Sequence, residues 1–194
     1  MKILVVASHS GGHIAPAIAF CQGLRDKNSD VEINFVTTDG QIEKKLLDNN
    51  FNPIYLKREK IKISASFRLF GLFFKAKTLI ELLKPDLVVG FGGYLSVPFI
   101  IWAHFKSVPN FIHEQNIGLG MANRFLAEFT DKVIFSFPNS QILNKFKNKA
   151  LILGLPLRKE LRRLDKKLAK TYFGFDMDNF TVLVVGGSQG SSKI

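Results

Sequence analysis

Short, unbroken apolar runs return along this chain, and helix-length segments separate most of them. The runs are Ile3–Ala7, Val31–Thr37, Pro53–Leu56, Asp86–Gly90, Asn110–His113, Lys132–Phe135 and Ala150–Leu153. An alternating run marks a strand with one wet face; an unbroken one marks a strand covered on both. Between them, Glu43–Leu47, Ser64–Leu83, Leu95–Phe105, Leu119–Ala127 and Ser140–Lys147 read as helices. Strands that alternate with helices in this way predict an α/β fold, a Rossmann-like parallel sheet with helices on both faces. Ligands on such sheets bind beyond the carboxyl ends of the strands, near the point where strand order reverses.

The first of those ends is the most informative. Ser8-His9-Ser10-Gly11-Gly12-His13-Ile14-Ala15-Pro16 joins the first run to a helix that starts near Ile14, with Pro16 in its first turn, where a missing N–H costs nothing. Gly11 and Gly12 allow a sharp turn and a close approach of backbone to ligand. The free amides of a helix start, together with its dipole, favour an anion there. His13 beside them is either a structural cap or a group that donates to a phosphate and acts as a base near neutral pH.

Further glycine pairs occupy equivalent places at Gly92-Gly93 and Gly186-Gly187. None is a dinucleotide fingerprint or a Walker A loop, because the G-x-G-x-x-G order and the Gly-Lys-Ser/Thr ending are both missing. His113-Glu114-Gln115-Asn116 closes another strand. Four polar groups there are costly unless they pair with one another or with a ligand, and both readings stand for His113 and Gln115. No Cys/His cluster has metal-ligand spacing, so no metal or other cofactor is expected. The single cysteine, Cys21, falls in an apolar helical pattern and reads as a buried thiol.

With 194 residues, 46% of them hydrophobic, the chain is long enough for a substantial core. No apolar run is long enough to span a bilayer, and the chain opens on a strand rather than a leader, so the expected location is the cytosol or the cytosolic face of a membrane. A net charge of +11 suits a phosphorylated substrate, an anionic membrane or nucleic acid, and a lysine-rich solvated surface equally. No nucleic-acid-binding motif accompanies the charge, so nucleic acid is not expected as a partner.

A break at Gly154-Leu155-Pro156-Leu157-Arg158 predicts two domains, 1–157 and 158–194. A charged helix from Lys159 to about Tyr172 follows, then a buried-strand run, Phe180–Val185, and the third glycine turn. One strand and one turn cannot bury a core, so this second domain is read as incomplete.

Taken together these motifs resemble one family. Ser10-Gly11-Gly12-His13 with Pro16, Gly90-Phe91-Gly92-Gly93-Tyr94-Leu95-Ser96-Val97-Pro98, His113-Glu114-Gln115-Asn116, Gly154-x-Pro156-x-Arg158 and Val184-Val185-Gly186-Gly187-Ser188-Gln189-Gly190 follow the order and spacing of the MurG family. That resemblance implies a GT-B glycosyltransferase with two Rossmann-like domains. The reaction it implies moves N-acetylglucosamine from UDP-GlcNAc to the 4-hydroxyl of the muramyl sugar of lipid I, with inversion, on the cytoplasmic face of the cell membrane. It also implies that Ser10, Gly11, Gly12, Asn116, Arg158 and Ser188 contact the donor, and that His13 or Glu114 is the base. Where the family carries glycine this chain has Ser8 and His9, and where it carries Asn this chain has Leu155. With its donor domain incomplete, the chain alone is expected to turn over little, or to need a donor-domain partner chain. A split transferase and a non-catalytic nucleotide- or anion-binding module are the alternatives.

Between Lys57 and Lys77, cations crowd around Phe67, Leu69, Phe70, Leu72, Phe73 and Phe74. Basic groups beside aromatics suit an anionic bilayer, with Phe67, Phe70, Phe73, Phe74 and Lys75 as its contacts. The other reading is a core helix with a basic outer face. Serine at Phe70 and Phe73 is the substitution expected to weaken binding to anionic vesicles.

Overall fold

The protein is described by a computed structural model over residues 1–7, 11–47, 51–57, 65–139, 144–161 and 163–186, with side chains at 42 and 65–69 left aside. It divides into two compact units, Met1–Arg158 and Lys159–Ile194.

The first unit is built on seven parallel strands: β1 (Lys2–Val6), β2 (Glu32–Thr38), β3 (Pro53–Leu56), β4 (Leu87–Gly90), β5 (Asn110–Glu114), β6 (Lys132–Phe135) and β7 (Ala150–Ile152). Their order is β3-β2-β1-β4-β5-β6-β7. Strand order therefore reverses between β1 and β4, which pair in register from Ile3 against Leu87 to Val6 against Gly90.

Each central strand feeds two cores. On β1, Leu4 and Val6 face one core, with α3 (Ala65–Leu83), α4 (Ser96–Phe105) and α5 (Met121–Leu126) packed over it. Ile3, Val5 and Ala7 face the other, under α1 (Gly11–Lys27) and α2 (Gln41–Leu46). Val88 and Val89 on β4 divide in the same way. Both faces are dry, which is why these runs are unbroken rather than alternating. Cys21 lies wholly buried in the second core, and burial pushes its thiol far above the usual range.

Three expectations from the sequence change. Helix α1 already runs from Gly11, so Pro16 is the sixth helical residue and sits inside the helix rather than in its first turn. Proline there has no N–H to return to the Gly12 carbonyl. The glycine pair thus belongs to the helix, and residues 8–10 between it and β1 lie outside the described residues.

The charged helix is shorter than its composition suggests. It is α6 (Lys166–Phe173), because Asp165 stands outside it and caps it, accepting from Lys167 N at 2.9 Å and Leu168 N at 3.2 Å. Gly174, at φ 66°, ends it in the left-handed conformation that glycine adopts without penalty. Lys170 is 7% exposed, and its ammonium donates to the carbonyls of Asp176, Met177 and Asn179 at 2.8, 2.8 and 2.6 Å.

Phe180–Val185 is not a buried strand. It has no regular secondary structure, and Phe180, Val182, Leu183, Val184 and Val185 are exposed. An apolar run becomes a strand only where a neighbouring strand accepts its backbone, and none of the described residues does so. Residues 187–190 of the third glycine turn, and 140–143 of the expected Ser140–Lys147 helix, lie outside the described residues.

Candidate active site

Helix α1 leaves β1, and the Gly92–Gly93 turn leaves β4, on the same rim of the sheet. The end of β5 adjoins them. These three carboxyl ends straddle the point of order reversal and enclose a cavity of about 530 Å³. His13, Gly92, Gly93, Tyr94, Glu114, Asn116 and Asn123 line it. Val97, Met121, Ala122 and Phe125 add apolar lining.

The β4 turn depends on glycine. Gly92 and Gly93 have φ of 87° and 78°, where an L side chain is strained. A Cβ on Gly92 would stand 3.2 Å from His13 Nε2 and 3.6 Å from Asn123 Nδ2. The imidazole and the amide thus pack over bare backbone. Ser96, fully buried at the start of α4, ties the turn down by donating to Gly92 O at 2.9 Å.

Glu114 is 2% exposed, yet both its oxygens are filled. Oε1 accepts from Asn116 N and Asn116 Nδ2, each at 3.0 Å. Oε2 accepts from Gly120 N at 3.0 Å and Asn123 Nδ2 at 2.9 Å. With these four hydrogen bonds the carboxylate holds the loop from Asn116 to Gly120 against α5.

His113 and Gln115 pair internally. His113, 3% exposed, donates from Nε2 to Gly154 O at 3.2 Å if its Nδ1 is the acceptor for Gln115 Nε2, also at 3.2 Å. Gln115 Nε2 further donates to Phe91 O at 3.1 Å. The ring lies 5.2 Å from that of Phe91, tilted by 32°. Burial pushes the His113 pKa below its ordinary value, partly offset by the Gly154 carbonyl and the Glu114 charge. Of the two sequence readings for this pair, the internal network is the one present.

The remaining candidates are spread more widely. Gly11 and Gly12 open α1 next to His13. Arg158 follows β7 at the end of the first unit, half-buried, and is not among the cavity-lining residues. Ser10 and Ser188, and the side chain of Phe67, lie outside the described residues. On α3, Phe70 and Phe74 are 63% and 56% exposed and their rings touch edge to face at 4.9 Å. Phe73 instead packs on the core with Leu72, and Lys75 is exposed. Among the described residues no group of three or more His, Cys, Asp or Glu side chains is placed to hold a metal ion. No described helix is long and apolar enough to cross a membrane.

Sequence reasoning missed Asn123, Met121 and Phe125. Asn123 carried a faint signal: a polar residue disfavoured in helices, set two positions inside one.

A parallel sheet of this order, with its cavity at the reversal point, is a Rossmann-like doubly wound fold with a ligand crevice in its usual place. The chain belongs to glycosyltransferase family 28, whose N-terminal domain matches residues 3–135. It is 35% identical over 202 aligned positions to the UDP-N-acetylglucosamine--N-acetylmuramyl-(pentapeptide) pyrophosphoryl-undecaprenol N-acetylglucosamine transferase of Caldanaerobacter subterraneus, covering 100% of this chain and 56% of that protein. The protein of the same name from Francisella philomiragia is also 35% identical, over 204 positions, with 100% and 54% covered. The crystal structure of Acinetobacter baumannii MurG superposes with a TM-score of 0.68 at 26% identity, over 84% of this chain and 48% of that one. UDP-GlcNAc 2-epimerase from Neisseria meningitidis, solved with UDP-GlcNAc, shares the fold at 17% identity and a TM-score of 0.59, over 80% and 46%. The chain spans about half the length of the relatives it matches.

Proposed function

We propose that this chain forms the acceptor side of an inverting N-acetylglucosaminyltransferase that uses UDP-GlcNAc and a muramyl sugar linked to a polyprenyl diphosphate, the lipid I to lipid II step of peptidoglycan synthesis. The observation that carries the reading is the cavity at the carboxyl ends of β1, β4 and β5, with His13 on its wall beside the amides that open α1. The substrates are those in the names of the relatives at 35% identity.

His13 is the base in this reading. It takes the proton of the acceptor's 4-hydroxyl, the freed oxygen bonds to C1 of the N-acetylglucosamine, and the C1–O bond to UDP breaks on the opposite face. Glu114 is a poorer candidate, because its two oxygens already accept four hydrogen bonds and are taken up in holding the loop. Gly11 and Gly12 amides suit a diphosphate oxygen, and Arg158 suits the charge of the departing UDP. Asn116, Ser10 and Ser188 complete the donor contacts that the resemblance implies.

In this reading the acceptor's lipid tail lies in the membrane, and the reaction takes place at the cytoplasmic face that the resemblance implies. Phe70 and Phe74, exposed on α3 beside Lys75, form the surface that meets an anionic bilayer.

A transfer assay with radiolabelled UDP-GlcNAc and lipid I tests the reading. It is run on this chain and on the chain extended by a complete donor domain. Transfer by the extended form that disappears in His13→Ala supports it, and transfer that survives His13→Ala removes the assigned base. A short form as active as the extended one removes the half-enzyme reading.

A further inference from the structure

Several buried side chains among the described residues hold a polar atom with no hydrogen-bond partner: Thr37, Trp102, Asn110, Gln115, Asn123 and Ser136. Only Asn123 also lines the cavity. It is 3% exposed, and the unpartnered atom is Oδ1.

The orientation of that amide is settled by its neighbours. Nδ2 donates to His113 O at 3.1 Å and to Glu114 Oε2 at 2.9 Å. Rotating the amide by half a turn would set its oxygen against a carbonyl and a carboxylate, both acceptors, and lose both bonds. Both amide protons are thus spent on the sheet edge, and the oxygen is the atom left over. A buried acceptor without a donor is costly, and on a residue that lines a cavity a ligand can supply the missing hydrogen bond.

We propose that Asn123 is a specificity-determining residue for the acceptor sugar, its Oδ1 accepting a hydrogen bond from a hydroxyl or acetamido N–H of the glycan seated in the cavity. This rests on the acceptor reading above and deepens it. A diphosphate esterified at both ends has only acceptors to offer at neutral pH and cannot satisfy Oδ1, so the sugar lies over Asn123 and the diphosphate lies elsewhere on the rim. Oδ1 is screened from solvent, so the wall must give slightly as the sugar seats. Glu114 serves here as the anchor that fixes the reading amide.

The test is calorimetric titration of the full chain with an N-acetylmuramyl diphosphate bearing a ten-carbon prenyl chain. Three analogues each lack one donor: the N-methylated acetamide, the 4-deoxy and the 6-deoxy sugar. One analogue is expected to bind at least tenfold more weakly than the parent, and Asn123→Ala to bind parent and that analogue alike. All three analogues binding the unaltered chain within twofold of the parent overturns the assignment while leaving the acceptor reading in place. A parent ligand that does not bind at all removes the acceptor reading, and this assignment with it. The analogue series in the unaltered chain stands whether or not Asn123→Ala folds.

Discussion

His13 packs its ring over Gly92, with Nε2 only 3.2 Å from where a Cβ on that glycine would stand. Gly92 also has φ of 87°. Gly92→Ala therefore carries two penalties, backbone strain and a displaced imidazole. We expect a loss of roughly 1–3 kcal/mol in urea unfolding, with a shifted His13 ring resonance in NMR spectra. An unshifted resonance would mean that the ring and the turn are not coupled.

Glu114 and His13 separate by their effects on stability. Glu114→Gln replaces one accepting oxygen by an NH2 donor that faces two of the four donors, and should cost about 1.5–3 kcal/mol at pH 7.5. His13→Ala, on the cavity wall, should cost about 1 kcal/mol or less. Denaturant midpoints of the two variants, measured side by side, check the ranking.

His113 makes the fold sensitive to mild acid. Its folded pKa lies below the ordinary value of about 6.5, so the unfolded chain binds more protons in that range. The contribution of this group is complete above pH 6.5 and is lost as pH falls through the folded value. Protonation would also turn Nδ1 into a donor facing the Gln115 amide. Urea midpoints at pH 7.5 and 5.0 should differ less for His113→Gln than for the unaltered chain.

Phe70 and Phe74 are the surface positions to test, and Phe73 is not. The paired serines at 70 and 74 should weaken binding to anionic vesicles at least tenfold, about 1.4 kcal/mol, with Tm unchanged. Phe73→Ser removes packing on the core and should cost roughly 1–3 kcal/mol. Vesicle co-sedimentation and thermal melts on the same samples separate the effects.

In the second unit, Lys170→Met strands three carbonyls that share one ammonium. Limited proteolysis should cut between 159 and 186 several times faster, with cleavage in the first unit unchanged.

All seven strands of the sheet were legible in the sequence, the central β1 and β4 because a strand buried on both faces leaves a run with no polar interruption, and the edge strands β3 and β7 from their short apolar runs although they are only partly buried. The rim was legible too, since glycine pairs at strand ends have few other uses. Asn123 was not. Its part depends on Glu114 across a loop closure that spacing alone does not reveal. The pairing of His113 with Gly154, some forty residues downstream, was hidden for the same reason. Helix ends were misplaced where a cap outweighed composition, as Asp165 does for α6. Phe180–Val185 shows the opposite failure: local apolar character says nothing of whether a partner strand is at hand.

Because all seven strands run parallel, the cavity and the return turns occupy opposite rims. Asn28–Asp30, Lys84–Asp86 and Ser107–Pro109 precede β2, β4 and β5, at the end of the strands opposite His13. A fluorescent reporter or a surface tether attached there would report on the chain without crowding the sugar.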